Sequence, residues 1–394
     1  MNHRDGVSPI PTLQKLHGLD HLRALAIVLV LSFHYRIFPH PEWITSVGAF
    51  GWTGVDLFFV LSGYLIATQL FVEATRWQRI SLRDFFIKRS FRILPAYLLV
   101  VAVYFLVPAF REREALPPLW RFLTFTQNFG LNLGKTGTFS HAWSLCIEEQ
   151  FYLVLPLCIA AMVRCRAEKR LAPVLLGLLV LGLLARGSSW HHFVAPRLGE
   201  EDVALTWYQW LYYPTYNRLD GLVVGIGIAA LFHYNPALGA RMKGYGNWWV
   251  LASAAVLTGA YFLCQDQQSY YASLYGFPLV ALGYGLLVVG AISPTCVLYR
   301  LKSPLTAKLA ALSFGIYLIH KGVIHLVQGQ ADAWQVPVDS NTMLVLCLMA
   351  IGGSSYLLNG MVEKPFLALR KRVLRAKHPT QAVPLVQAVQ PLKA

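Results

Sequence analysis

One apolar stretch organises the chain: Asp20-His-Leu-Arg-Ala-Leu-Ala-Ile-Val-Leu-Val-Leu-Ser-Phe-His-Tyr35. Arg23 and His34 are eleven positions apart, which in an α-helix is three turns plus about 20°, so both side chains project from one face. Asp20, three positions before Arg23, joins that face. The separation along the helix axis is about 16 Å, roughly half the thickness of a bilayer core. Because ionisable groups facing lipid are costly, we expect this face to line a polar cavity.

Histidine exchanges a proton near neutral pH, which makes His34 the candidate general base for a reaction at a hydroxyl. Two structural alternatives stay open from these residues alone. Arg23 can serve as an anchor whose side chain reaches the membrane surface, and a single His within a span can simply be a packed, hydrogen-bonded residue. The shared face favours the catalytic interpretation, so we take the cavity between them as the reaction site.

The composition is that of an integral membrane protein. The 394 residues are 56% hydrophobic and 13% charged, with a mean hydropathy of +0.48, whereas soluble domains carry about 25% charged residues. The net charge of +15 is explained by basic cytoplasmic loops, so we expect no nucleic-acid partner. The six cysteines occur singly and form no Cys-x-x-Cys or Cys/His cluster, so neither a disulfide framework nor a metal site is predicted.

Ten apolar windows predict an all-α bundle of about ten transmembrane helices. They cover residues 19–38, 50–71, 93–110, 143–162, 172–190, 212–232, 247–264, 273–292, 309–328 and 341–362. Most Lys and Arg residues fall on the side of the two termini, so both termini are predicted to be cytoplasmic, and a bacterial inner membrane fits this pattern. No cleavable signal peptide is predicted. We divide the chain into a cytoplasmic segment 1–18, a membrane domain 19–363 and a basic, partly mobile cytoplasmic tail 364–394, with Pro365 expected to stop the last helix.

Polar side chains at the second and third spans are further candidates for the site. Asp56, near the start of the second span, either lines the cavity or pairs with an arginine. Arg89 and Arg92, spaced i, i+3 at the start of the third span, present two guanidinium groups on one side, which suits phosphate. Spacing alone favours the alternative that they anchor the helix at the cytoplasmic surface.

The fourth span opens with a polar strip. Ser144, Glu148 and Tyr152 follow i, i+4, i+8 and share a face, while Glu149 lies about 100° away. Two adjacent carboxylates at a membrane boundary favour a functional role over a structural one. We expect one of them to orient or charge-balance an imidazole, or to bind a sugar hydroxyl.

Two later spans also carry polar residues. Arg218 and Asp220 open the sixth span, either as an ion pair that fixes helices or as substrate contacts. Tyr317 and His320 share a face of the ninth span, where His320 is expected to line the cavity as a hydrogen-bond partner. Glu363, at the end of the tenth span, is assigned to structure.

In their order along the chain, these motifs resemble the membrane acyltransferase family 3, which contains O-antigen, exopolysaccharide and macrolide O-acyltransferases. The matching stretches are Leu19-Asp-His-Leu-Arg-Ala-Leu-Ala with His34, Gly54-Val-Asp-Leu-Phe-Phe-Val-Leu-Ser-Gly-Tyr-Leu-Ile, Arg89-x-x-Arg92, Trp143-Ser-Leu-x-x-Glu-Glu-Gln-Phe-Tyr, Arg218-x-Asp-Gly, Ser313-Phe-Gly-Ile-Tyr-Leu-x-His and Glu363-Lys-Pro-Phe. Together they extend over nearly the whole chain. His21 departs from the family, which usually has Gly there.

The resemblance implies transfer of an acyl group, most commonly acetyl, from cytoplasmic acyl-CoA to a hydroxyl, often on a carbohydrate. It implies that Arg23, Arg89 and Arg92 bind the CoA phosphates and that His34 accepts the hydroxyl proton, with Glu148 or Glu149 supporting the imidazolium. No metal is expected. The residues assigned to the substrate cavity are Asp20, Asp56, Ser144, Tyr152, Arg218, Asp220, Tyr317 and His320.

Some points stay open after the resemblance. A two-step route through acyl-His34 is an alternative to direct attack. Many relatives carry an extra esterase-like domain; none is expected here, and direct acylation of the acceptor is the resulting expectation. A transporter or flippase of a glycan or lipid-linked sugar is the alternative function. Ten spans with buried charges suit it, but no inverted repeat or pair of matching broken helices supports it. The oligomeric state is left open.

Overall fold

The computed structural model describes residues 16–377 as a bundle of helices, and it contains no β-strand within that range. The long helices and the bent pair are α1 His17–Tyr35, α2 Gly54–Trp77, α3 Leu82–Leu106, α4 Trp143–Arg164, α5 Leu171–Ser189, α6 Asp220–Tyr234, α7 Pro236–Lys243, α8 Gly246–Leu263, α9 Phe277–Ala291, α10 Pro304–Gln328, α11 Asn341–Leu358 and α12 Lys364–Lys377. Shorter helices lie between them at Glu42–Val47, Leu119–Leu123, Leu133–Thr136, Val203–Trp207, Val297–Arg300 and Ala331–Trp334. Most of the predicted segment 1–18 and the end of the predicted tail 364–394 lie outside the described residues.

Within residues 16–377, seven helical stretches are long and apolar enough to cross a membrane, and the chain is therefore an integral membrane protein. These are Gly51–Trp77, Leu82–Leu106, Ser140–Arg164, Glu168–Arg197, Ala272–Ala291, Pro304–Gln328 and Asn341–Leu374. An eighth crossing is formed if α6 and α7, bent by 109°, act as one span. The two remaining predicted windows coincide with α1 and α8. The count of ten and the cytoplasmic side of both termini stay predictions.

The helix α1 packs on α2, α9 and α10. Its first turns are fastened by His21, whose ring nitrogens lie 2.9 Å from the Leu301 carbonyl oxygen and 2.7 Å from the Thr306 hydroxyl. The histidine that departs from the family pattern therefore ties α1 to the start of α10.

The helices α2 and α6 pack with their backbones in close contact. A Cβ atom at Gly63 would overlap the Leu222 carbonyl, and one at Gly225 would overlap the Val60 carbonyl. Small residues are the usual means by which membrane helices approach this closely. The contact brings the start of α2 against the residues that precede α6.

Because α1, α2, α3 and α4 run in alternating directions, their ends form two opposite ends of the bundle. Arg23 and Arg89 lie near the starts of α1 and α3, at what we call the arginine end. His34 lies in the last turn of α1, at what we call the histidine end, where α2, α4 and α6 begin.

The chain stays helical past Pro365, and the prediction that this proline stops the helix is wrong. A π-helical turn at Asn359–Glu363 follows α11, and Pro365 then occupies the first turn of α12. Proline is tolerated in a first turn because its missing N–H would have no partner within the helix there.

Candidate active site

Three histidine rings meet at the histidine end. Nδ1 of His34, on α1, lies 2.9 Å from Nε2 of His320, on α10. The ring of His141, which precedes α4, has its centroid 4.6 Å from that of His320 and 5.8 Å from that of His34. His34 is 8% exposed and His320 is fully buried. The predicted hydrogen-bonding role of His320 therefore has a defined partner, which is the candidate base itself.

The hydrogen bonds around His320 fix which nitrogen of His34 is free. Nδ1 of His320 lies 2.8 Å from the Tyr317 carbonyl oxygen, and a carbonyl can only accept, so this nitrogen carries the proton. In the neutral ring Nε2 is then an acceptor, and it receives the Nδ1–H of His34. The remaining nitrogen of His34, Nε2, is left with a lone pair and can act as a base.

His141 is a part of this cluster that sequence reasoning passed over. Its Nε2 lies 3.3 Å from the Leu318 carbonyl oxygen, and its buried Nδ1 has no hydrogen-bond partner among the described residues. Its backbone carbonyl accepts the hydroxyl of Tyr317, which also lies 2.6 Å from the Ser144 hydroxyl. The signal was its position in the sequence, two residues before the stretch that begins at Trp143. Within residues 16–374 no three His, Cys, Asp or Glu side chains are placed to share a metal ion.

The polar strip predicted on the fourth span is present on α4. The Tyr152 hydroxyl donates to Glu148 at 2.8 Å, and the Ser62 hydroxyl, on α2, donates to the same carboxylate at 3.0 Å. Ser144, one turn nearer the histidine end, contacts Tyr317. The strip therefore runs from the middle of the bundle to the histidine cluster.

The arginines Arg23, Arg89 and Arg92 come together at the arginine end, where the charges of Arg89 and Arg92 act on that of Arg23. The Asp20 carboxylate lies 3.9 Å from the Arg23 guanidinium. The Arg89 guanidinium lies 5.0 Å from the centre of the Tyr152 ring, so the cluster touches the polar strip. Grouped guanidinium groups suit a polyanion such as a diphosphate.

A fourth arginine joins this cluster from the segment predicted to be a tail. Arg370, on α12, interacts with the charges of Arg92 and Arg89, and its Nη1 lies 3.5 Å from the Lys88 carbonyl oxygen. The missed signal was the basic, helix-forming sequence after Pro365.

Among the described residues, no hydrogen bond joins Glu148 or Glu149 to the His34 ring, so a direct role of either carboxylate at the imidazole stays a prediction. Both carboxylates instead interact with the charge of Arg89. Glu148 is held by Ser62 and Tyr152, while Oε1 of Glu149 is buried without a hydrogen-bond partner among the described residues. His320 takes the place that a carboxylate was expected to fill.

The suggested ion pair between Arg218 and Asp220 is wrong. Arg218 binds both oxygens of Asp56, at 2.9 and 3.0 Å, and its guanidinium lies 4.1 Å from the centre of the Phe277 ring. Asp220 is bound by Arg186 at 2.6 Å. All four charged side chains of these pairs are at most 4% exposed. Such buried pairs fix α2, α5 and α6 to one another, which favours the structural alternative for all three predicted residues.

The predicted residues thus form one polar seam. It begins at Arg23, Arg89 and Arg92, passes Tyr152, Glu148 and Ser144, and ends at Tyr317, His320 and His34. The distance from Arg23 to His34 along α1 is about 16 Å. The seam therefore joins a group of guanidinium side chains at one end to an imidazole with a free nitrogen at the other.

Comparison with known proteins identifies the family of this chain. The model of an acyltransferase domain family matches residues 16–358, and the chain belongs to this family of acyltransferases. The match includes both the arginine end and the histidine end. No solved structure gives a significant match.

Curated relatives carry more specific names. The chain is 26% identical to O-acetyltransferase OatA of Staphylococcus aureus (strain NCTC 8325 / PS 47), over 92% of this chain and 58% of that protein. It is 29% identical to peptidoglycan O-acetyltransferase OatA of Listeria monocytogenes, over 78% and 49%. It is 28% identical to the putative peptidoglycan O-acetyltransferase YrhL of Bacillus subtilis, over 84% and 52%. The chain spans about half the length of these relatives.

Proposed function

We propose that this chain is a membrane O-acetyltransferase that moves an acetyl group from acetyl-CoA to a hydroxyl of a cell-envelope glycan. The observation that carries the proposal is the hydrogen bond between His34 and His320. It leaves Nε2 of His34 as a base at one end of a polar seam whose other end is lined by arginines.

The donor enters from the arginine end. The excess of Lys and Arg in the loops on that side supports a cytoplasmic location for it, and acyl-CoA is found in the cytoplasm. Arg23, Arg89 and Arg92 hold the phosphates, with Arg370 as a fourth contact. The uncharged arm that bears the thioester then follows the polar strip of α4 towards His34.

The acceptor hydroxyl approaches from the histidine end. Nε2 of His34 removes its proton while the oxygen attacks the thioester carbonyl. A C–O bond forms, the C–S bond breaks, and the CoA sulfur leaves with the proton taken from the imidazolium. His320 stays neutral and acts as a positioning residue, since it accepts the Nδ1–H of His34 throughout. Transfer through an acetyl-His34 intermediate is the alternative route, and intact-mass measurement after incubation with acetyl-CoA alone distinguishes the two.

The acceptor class is proposed from the names of two relatives. One is named a peptidoglycan O-acetyltransferase and the other a putative peptidoglycan O-acetyltransferase. A glycan strand offers hydroxyls on the side of the membrane that the histidine end would face. The acyl group is proposed to be acetyl on the same basis.

The test is turnover of radiolabelled acetyl-CoA by the purified protein in proteoliposomes that contain envelope glycan. Removing a general base lowers a rate by about 10² to 10⁴-fold, so His34→Ala is expected to lose nearly all transfer. His325→Ala is the matched control, because His325 is an exposed residue on the same helix as His320. It is expected to leave transfer unchanged.

Normal turnover in His34→Ala would refute the assignment of the base. A wild-type protein that leaves acetyl-CoA intact but moves a labelled glycan across the bilayer would instead support the transporter alternative.

A further inference from the structure

A second candidate site lies at the histidine end, outside the seam. An open cavity of about 470 Å³ is formed there between two segments of the chain. Asn132 and Lys135 come from the segment between α3 and α4, and the other walls come from the segment between α5 and α6. Nothing in the proposed mechanism uses these residues.

The polar walls of the cavity offer both donors and acceptors. Nδ1 of His192 lies 2.8 Å from the Ser188 carbonyl oxygen, so it carries the proton and Nε2 is left as an acceptor. The Gln209 carbonyl oxygen is 3.4 Å from the Asn132 amide nitrogen, which leaves the Gln209 amide nitrogen as a donor. A wall with both hydrogen-bond donors and acceptors suits a ligand rich in hydroxyl groups, because each hydroxyl both donates and accepts hydrogen bonds.

The charges in the cavity are nearly balanced. Arg197 is paired with Asp202 at 2.8 Å, and Lys135 is the remaining cation of the lining. One unpaired cation is too few for a nucleotide or another polyphosphate, which needs several arginines or lysines. The polar lining likewise does not suit an acyl chain.

An aromatic pair supplies the apolar part of the cavity. The rings of Phe193 and Trp210 are 4.2 Å apart and within 8° of parallel. Phe193 remains 36% exposed. Flat aromatic faces beside a few hydrogen-bonding groups are a common design of binding pockets, and the C–H face of a pyranose ring packs well on such a surface.

The cavity is linked to the candidate active site through aromatic contacts. Gln209 follows Tyr208, whose ring stacks on that of Tyr213 at 5.6 Å. The Tyr213 ring packs on Trp143 at 5.5 Å, and the next residue, Ser144, belongs to the seam. The cavity therefore lies on the same end of the bundle as the histidine cluster and is joined to it by packed side chains.

We propose that this cavity is a docking site for pyranose units of the acceptor glycan, away from the unit that is acetylated. The inference rests on the proposed function for the identity of the glycan as acceptor. The binding itself requires neither donor nor catalysis.

The experiment is saturation-transfer NMR of the full chain in lipid nanodiscs with chitotetraose, cellotetraose and maltotetraose, without acyl-CoA. Nanodiscs avoid sugar-based detergents, which would compete for the cavity. We expect at least one tetrasaccharide to bind, and Phe193→Ala to weaken that binding about three- to tenfold through loss of the stacking surface. Gln209→Leu, which keeps the aromatic pair, is expected to weaken it similarly. Trp120→Ala is the control, since Trp120 is an exposed aromatic residue outside the cavity lining.

The proposal is overturned if no tetrasaccharide binds the wild-type protein, or if both cavity variants bind as the wild type does. If Phe193→Ala loses both its binding and its thermal transition, the folded Gln209→Leu variant decides the question. Normal tetrasaccharide binding by that variant would overturn the proposal. Tetrasaccharide binding by a protein that never consumes acetyl-CoA would leave the cavity assignment standing and refute the acetyltransferase, so the two failures are distinguishable.

Discussion

Replacing His320 tests whether the orientation of His34 matters for transfer. His320→Ala removes the acceptor of the 2.9 Å hydrogen bond and leaves the Nδ1–H of His34 buried without a partner. An unsatisfied buried donor costs about 1–3 kcal/mol, and each 1.4 kcal/mol corresponds to a factor of about ten in rate. We therefore expect kcat to fall about ten- to a hundredfold, which is less than for loss of His34 itself. The KM for acetyl-CoA should not change, because the arginines lie about three helical turns away.

The assay is the initial rate of transfer at varied acetyl-CoA, with thermal unfolding measured on the same samples. His320→Gln is the informative second variant, since its amide oxygen can accept from His34 and its amide nitrogen can donate to the Tyr317 carbonyl. It should recover part of the lost kcat. An unchanged kcat in His320→Ala refutes the reasoning, as does a folded His320→Gln protein that is no faster than the Ala variant.

Two further predictions concern the arginine end and the buried ion pairs. Arg370→Ala should raise the KM for acetyl-CoA about ten- to a hundredfold at constant kcat, because a hydrogen bond to a charged group is worth about 1.5–3 kcal/mol. Lys371→Ala on the same helix is the control. A KM in Arg370→Ala equal to that of the wild type would contradict a fourth phosphate contact. Asp56→Ala should destabilise the protein by about 3–5 kcal/mol in unfolding measurements, because it leaves Arg218 buried and uncompensated. Adding Arg218→Met should recover part of that loss, and an Asp56→Ala protein as stable as the wild type would show that the pair does not hold the helices.

Sequence periodicity predicted the parts of the site that lie on single helices. The shared face of Arg23 and His34 and the strip of Ser144, Glu148 and Tyr152 both follow from 3.6 residues per turn. Each of the ten apolar windows overlaps a helix, although the window 212–232 begins before α6 does. These features need no knowledge of which helices are neighbours.

Contacts between helices were not predictable in the same way. His34 and His320 are 286 positions apart, and Asp56 and Arg218 are 162 apart. Their pairing depends on how the bundle assembles, which no local pattern encodes. From the sequence alone, a carboxylate was therefore named as the partner of His34, and Asp220 as the partner of Arg218.

One deviation of the backbone did have a local signal. The bend between α6 and α7 falls at Asn235-Pro236, a dipeptide that favours a turn.

In the proposed function, the separation of the two clusters would allow the protein to act across a bilayer without moving either substrate across it. Phosphate groups cannot enter the apolar interior at an acceptable free energy, so they stay with the arginines. The proposed reaction requires only the uncharged thioester arm to extend along α4, over about three turns of helix. The acceptor hydroxyl needs to reach only the last turn of α1, where His34 lies. Because His34 and His320 are almost completely buried, the proposed reaction site would also keep bulk water from the thioester and so limit its hydrolysis.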